Sequence, residues 1–485
     1  MAGIGFTLQK LFREDYLSLR VRAYAYASFI AAGPWILSVG SIALINFLLQ
    51  RLGGVDDAER QLFVVTVSYC FIFSQILSGG WQLSVIRYLA DHFYLNRLEV
   101  VTPTFTGISR LVLALSAVAS VIFFWNSPLP MLYKLGSAAV FMLIGQIWLA
   151  MIFLTAAKSY KIISLAFLAG GAVSVGGVLL LLHHPLPFAS HGQATNLLLG
   201  FGLGIGVTAT MLALVLLRSF PAREESNPYG FLHYVDKYPS LLAVGFFYNL
   251  GVWMHNLIIW LGPSGVRIER TFTYSPLYDS SVFLANLTII PSLVLFVVSV
   301  ETQFYDKYKV FYGYVTNGGT LDMIKRAKTR MTEVLWRELY RVTKIQGILT
   351  LFFLIACQAL LERLGLQKTM IDIVRMSALG ALLGSLMLIN ILIMLYFEDR
   401  KGAAWTAGIY FALITVLTIT LLPLGIDYYG FSYFLGGAGA YAWSGLRLLR
   451  FLERIEVHTF ISQSILYREV RGWFTRLGEK AYRWF

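Results

Sequence analysis

Residues 62–86 read LFVVTVSYCFIFSQILSGGWQLSVI, without one charged side chain. A hydrocarbon core of roughly 30 Å is crossed by about 20 apolar residues of helix. Backbone polar groups in lipid must bond to one another, so this stretch is a transmembrane helix. Outward from it the pattern repeats at 24–49, 105–126, 131–156, 162–182 and 195–217, and then at 240–261, 280–300, 344–361, 370–397, 403–423 and 431–450. Twelve such spans predict an all-α membrane protein, divided naturally into two six-helix bundles.

Composition agrees, since 57% of the 485 residues are hydrophobic and 13% are charged. That is about half the charged share of a soluble domain, and it leaves no room for a large aqueous one. The net charge of +13 suggests nucleic acid, but its placement argues otherwise. Lys and Arg gather in alternate connections, most heavily in 301–343 and 451–485. By the positive-inside rule both termini are then cytoplasmic, and the excess charge faces anionic lipid or a cytoplasmic partner. No nucleic-acid motif accompanies it.

Residues 1–23 carry Ile4, Leu8, Leu11, Phe12, Tyr16 and Leu19 at helical spacing, with Lys10, Arg13, Glu14, Arg20 and Arg22 among them. This predicts an N-terminal amphipathic helix at the interface rather than a cleavable signal. The first bundle is expected at 24–217 and the second at 240–450, joined by a cytoplasmic linker, 218–239, that holds Pro221, Pro228 and Pro239. Within the second bundle, the cytoplasmic insertion 301–343 sets Ile324, Ala327, Met331, Val334, Leu335 and Val342 against Lys325, Arg326, Lys328, Arg330, Arg337 and Arg341. The cytoplasmic tail 451–485 repeats that style, so both segments are expected to lie on the membrane surface, where a cytoplasmic protein can also dock.

No Asp-x-Asp, His-Glu-x-x-His or Gly-x-Ser-x-Gly occurs, so transport rather than catalysis is expected, with no catalytic residue, metal or cofactor. Cys70 and Cys357 lie within spans, where a thiol behaves as a small hydrophobe. Gly200, Gly202, Gly204 and Gly206 alternate inside an apolar span and predict close helix packing rather than a phosphate cradle.

Polar residues inside spans are costly and therefore informative. The seventh span carries Asn249, Trp253, Asn256 and Trp260 at i, i+4, i+7 and i+11, two amides and two indoles on one face. Sugars are bound by that combination, through stacking on C–H surfaces and hydrogen bonds to hydroxyls, although interhelical bonding explains the stripe equally well. His255 sits one residue away, and Gln75, Gln82 and Gln146 add uncharged polar groups from the second and fourth spans. Arg87 and Glu301 end the second and eighth spans and are gate candidates, as are Asp372 and Arg375 of the tenth, which are also spaced to satisfy each other as a helical pair.

The opening Met1-Ala2-Gly3-Ile4-Gly5-Phe6 with Leu8, Lys10 and Leu11, then Gly33-Pro34-Trp35, resembles the inner-membrane transporters of the Pel exopolysaccharide. The likeness continues through Arg87-Tyr88-Leu89-Ala90-Asp91, Asn249 to Asn256, Ser275-Pro276-Leu277-Tyr278-Asp279, Ile290-Pro291 and Glu301-Thr302 with Phe304-Tyr305. It implies a member of the multidrug/oligosaccharidyl-lipid/polysaccharide flippase superfamily, with twelve helices in two bundles around a central cavity. The substrate it implies is an N-acetylgalactosamine-rich polymer, and the partners are a cytoplasmic glycosyltransferase and membrane-anchored Pel proteins, one of them a cyclic di-GMP sensor. A drug or lipid-linked oligosaccharide flippase and a non-transporting scaffold for the synthase remain the competing readings.

Overall fold

The computed structural model describes residues 33, 36–51, 55–156, 160–185, 192–220, 227–299, 303–363, 365, 367–460 and 471–484. The amphipathic segment 1–23, the start of the first span and Glu301 lie outside the described residues. Backbone contacts gather the rest into two compact units, residues 36–275 with the terminal helix, and residues 276–460.

In the first unit, α1 (Ile36–Arg51) is followed by α2 (Asp57–Tyr94), α3 (Val101–Phe124), α4 (Met131–Ala156), α5 (Tyr160–His183), α6 (Gly192–Ser219), the short α7 (Phe231–Lys237) and α8 (Pro239–Trp260). Gly200 and Gly177 bring α6 and α5 into backbone contact: a Cβ on Gly200 would stand 2.6 Å from the Gly177 carbonyl carbon. The expectation from the alternating glycines is met there, since small residues let helices approach in lipid. Beyond α8 an antiparallel hairpin pairs β1 (Val266–Ile268) with β2 (Phe272–Tyr274), and Arg267 faces Thr273 in its register. Glu269 and Arg270 make its turn at φ 47° and 53°. The Tyr69 hydroxyl ties the hairpin to α2, donating to the Thr273 carbonyl at 2.6 Å and accepting from the Thr273 amide at 3.0 Å.

The second unit runs α9 (Pro276–Leu287), α10 (Ile290–Ser299), α11 (Tyr305–Thr316), α12 (Leu321–Arg363), α13 (Lys368–Tyr396), α14 (Arg400–Leu421), α15 (Tyr429–Glu453) and α16 (Ile455–Phe460). The span expected at 280–300 is broken at Thr288 and Ile289, between α9 and α10, where Pro291 has no N–H for the Leu287 carbonyl and its ring crowds that carbonyl. Gln346 of α12 donates its Nε2 to the Thr288 carbonyl at the break, at 2.8 Å, as an interrupted helix in lipid requires. Asp399 caps α14 by accepting from the Gly402 amide at 3.0 Å, and Arg447 of α15 grips the same carboxylate at 2.8 and 2.9 Å.

Two expectations differ from the structure. The seventh span, expected to open the second bundle after the linker 218–239, is gathered with the first unit as α8, and the division falls after Ser275. The basic stretch 320–343 is not a separate helix on the membrane surface: it forms the first half of the 43-residue α12, continuous with the span that follows. No proline falls between Leu321 and Arg363, and the first glycine is Gly347, so nothing turns the chain. The apolar face meant for lipid is covered by protein instead, with Ile324, Ala327, Met331, Leu335 and Val342 all buried. Helix α11 packs along α12, and Lys328 reaches Glu456 of α16 at 3.3 Å.

Among the described residues ten helices are long and apolar enough to cross a membrane. The 16-residue remainder of α1 and the 25-residue α15 occupy the other two expected positions. The terminal helix α17 (Trp473–Trp484) belongs to the first unit and rests on α7. Asp236 holds its first turn, accepting from the Thr475 amide at 2.6 Å and from the Thr475 hydroxyl at 2.5 Å.

Candidate functional site

The seventh-span stripe lies along α2. The two helices meet at glycine: a Cβ on Gly245 would collide with the Gly79 carbonyl oxygen, and one on Gly79 would collide with the Asn249 amide. From that close point the seam runs toward the hairpin through polar and aromatic groups. Asn249 donates to the Gly245 carbonyl in its own helix at 2.7 Å, and Trp253 Nε1 donates to Gln75 Oε1 at 3.1 Å. Trp260 stacks on Tyr69 with ring centres 4.8 Å apart, and it packs with Ile72 and Ile76. Neither 62–86 nor α8 contributes an Asp, Glu, Lys or Arg side chain, so the seam carries no fixed charge.

Both ends are closed by aromatic groups. At one end, Phe272 of the hairpin meets Tyr69 at 5.0 Å and Phe123 at 5.5 Å between ring centres. At the other end Trp81 meets Phe474 of α17 edge to face at 6.0 Å. Nearby, Arg87 pairs with Asp91 at 3.2 Å and lies 5.9 Å from the Tyr238 ring, while Tyr234 donates to Asp91 at 3.0 Å. Burial, reinforced by the Asp91 carboxylate, pushes the Tyr234 hydroxyl well above its usual range, which keeps it a donor in that bond.

Of the residues singled out in sequence, Gln75, Asn249, Trp253 and Trp260 therefore come together. Asn256 and His255 are buried in the same helix, and Gln82 is half-buried on α2. Gln146 turns elsewhere, donating to the Ser109 carbonyl of α3 at 3.4 Å, and its neighbour Trp148 is the residue that reaches α2, at Ser74 Oγ. Asp372 and Arg375 form the helical pair their spacing suggested, 3.7 Å apart, and Arg375 also donates to Gln358 of α12.

A second polar and aromatic space was missed. Within the second unit a cavity of about 240 Å³ opens between α12, α13 and α15, lined by Trp336, Tyr340, Thr343, Asn390, Tyr441 and Gly445 among aliphatic side chains. Trp336, Tyr340 and Thr343 stand at i, i+4 and i+7, the rhythm that marked α8, but they were hidden inside a segment read as a basic surface helix.

The chain matches the PelG family profile, described as a putative exopolysaccharide exporter, over residues 1–460. No curated protein matches it. Among solved structures it resembles a MATE transporter in its bent conformation, at 11% identity and a TM-score of 0.57, covering 93% of this chain and 99% of that one. A eukaryotic MATE transporter superposes at 11% identity and 0.56, covering 95% and 98%. A MOP superfamily transporter from Pyrococcus furiosus gives 11% and 0.53, covering 89% and 96%. Identities this low speak for the fold alone, and that fold is the two-lobed helical one of MATE transporters. On the family match, which takes in nearly the whole chain, this multi-pass membrane protein belongs to the PelG family of putative exopolysaccharide exporters.

Proposed function

We propose that the chain carries the Pel exopolysaccharide, a neutral N-acetylgalactosamine-rich polymer, across the bacterial inner membrane from a cytoplasmic glycosyltransferase. The observation that carries this reading is the family match over residues 1–460. The α2–α8 seam supports it, because its indoles and amides offer stacking and hydrogen bonds without charge, which suits an uncharged sugar chain. Asn249, Trp253, Asn256 and Trp260 then line the path when the seam opens. With both termini cytoplasmic, the exposed Lys325, Arg326 and Arg330 of α12 face the glycosyltransferase and the membrane-anchored Pel proteins.

Vesicles holding this protein and its membrane partners, with the glycosyltransferase and nucleotide sugar outside, test the reading directly. Polymer should accumulate in the lumen. Continued synthesis with polymer only outside would refute export, and equal transport of lipid-linked oligosaccharide would favour the flippase instead.

A further inference from the structure

The cavity in the second unit has room for about eight water molecules at roughly 30 Å³ each, which is the scale of one sugar ring and too little for a folded lipid. None of the residues lining it is charged. An ionised headgroup or nucleotide placed there would lose its hydration without gaining a counter-charge. Three aromatic rings, Trp336, Tyr340 and Tyr441, share the wall with Asn390, whose amide is oriented by donating to Ser444 Oγ at 2.9 Å. One donor is thereby used, and an amide carries a second donor and a carbonyl acceptor. Gly445 leaves the floor open, since a Cβ built on it meets no atom within 4 Å.

The height of the cavity follows from α12 itself. Arg337, Arg341 and Lys344 are exposed just along the helix, and the exposed apolar residues Ile348, Leu351, Phe352 and Ile355 follow them. The change from basic to lipid-facing side chains puts Trp336 to Thr343 at the membrane boundary, on the side the charge bias makes cytoplasmic.

We propose that this cavity is a binding site for a single neutral pyranose residue of the polymer, held where the chain passes from water to the membrane. The proposal rests on the export reading and adds to it a place and a chemistry.

Two variants test it. Gly445→Leu fills the cavity without meeting another atom at Cβ, and Trp336→Ala removes one stacking face. Saturation-transfer NMR of the full-length protein in nanodiscs, with an N-acetylgalactosamine trisaccharide as probe, should show transfer to the sugar. Both variants should weaken binding at least tenfold while the unfolding midpoint of Gly445→Leu stays at or above that of the wild type. Undiminished binding in folded Gly445→Leu overturns the proposal, as does a wild type that binds no trisaccharide. A phospholipid retained by the wild type and released by Gly445→Leu in native mass spectrometry overturns it too, in favour of a lipid occupant. The vesicle assay separates the two readings: export by the wild type that Gly445→Leu leaves unchanged overturns this site alone, whereas absence of wild-type export refutes the function.

Discussion

The α2–α8 seam and the α12–α13–α15 cavity use the same chemistry in opposite states of packing. Both combine indole and amide groups on neutral walls. In the seam, Trp253 and Gln75 are bonded to each other and glycine faces glycine with no space between. In the cavity, glycine faces an opening and the aromatic rings border empty volume. The same residue types therefore hold two helices together in one place and leave a vacancy in the other, and what decides between these outcomes is the size of the residue across the gap.

Glycine substitutions give the sharpest test of that contrast. Gly245→Ala forces a Cβ into the Gly79 backbone and should cost about 3 kcal/mol, the upper range for overpacking because backbone yields less than a side chain. Gly445→Ala meets nothing and should gain about 0.5–1 kcal/mol through the reduced entropy of the unfolded helix. Thermal unfolding in detergent checks both, and equal responses would break the comparison.

Tryptophan truncation is the next largest effect. Trp253→Ala removes a half-buried indole and leaves Gln75 without its donor, an expected loss of about 2 kcal/mol. Trp336→Ala should cost under about 1 kcal/mol, because one side of the ring has no neighbours to lose. Chemical denaturation of the two variants side by side measures the difference.

Smaller effects lie at the edges of each unit. Asp236→Ala removes the cap of α17 and should cost about 1 kcal/mol, read as faster hydrogen exchange across residues 473–484 with the spans unchanged. Reversing Lys325 and Arg326 to Glu should leave retention of the protein in vesicles unchanged, because the apolar face beside them is covered by protein rather than by lipid. Loss of glycosyltransferase co-purification in that variant would support docking there.

Hydrophobic length alone located the spans, because bilayer thickness is an external ruler against which each segment can be measured. The stripe on α8 was likewise legible, since 3.6-residue spacing fixes a face. Its partner was not, because Gly79 and Gly80 carry no chemistry of their own and matter only through the space they leave. The first half of α12 was misread for a related reason. An amphipathic pattern says that a face is covered without saying by what, and here Phe311 of α11 and Ile455 of α16 are buried in the same unit as that face. Residues 280–300 were read as one unbroken span although Pro291 marks the break, and the amide of Gln346 that satisfies it lies 58 residues away.

The continuity of α12 gives the second unit a lever. At about 1.5 Å per residue its 43 residues extend roughly 64 Å, about twice the thickness of a hydrocarbon core. Leu321 to Gln346 stand on one arm and the lipid-facing Ile348 to Ile355 on the other, with Gly347 between them as the natural fulcrum. A partner that grips Lys325 or Arg330 and tilts that arm by about 10° moves its tip by roughly 7 Å, given about 39 Å of helix. No loop intervenes, so such a tilt would carry the wall that holds Trp336 and Tyr340 with it.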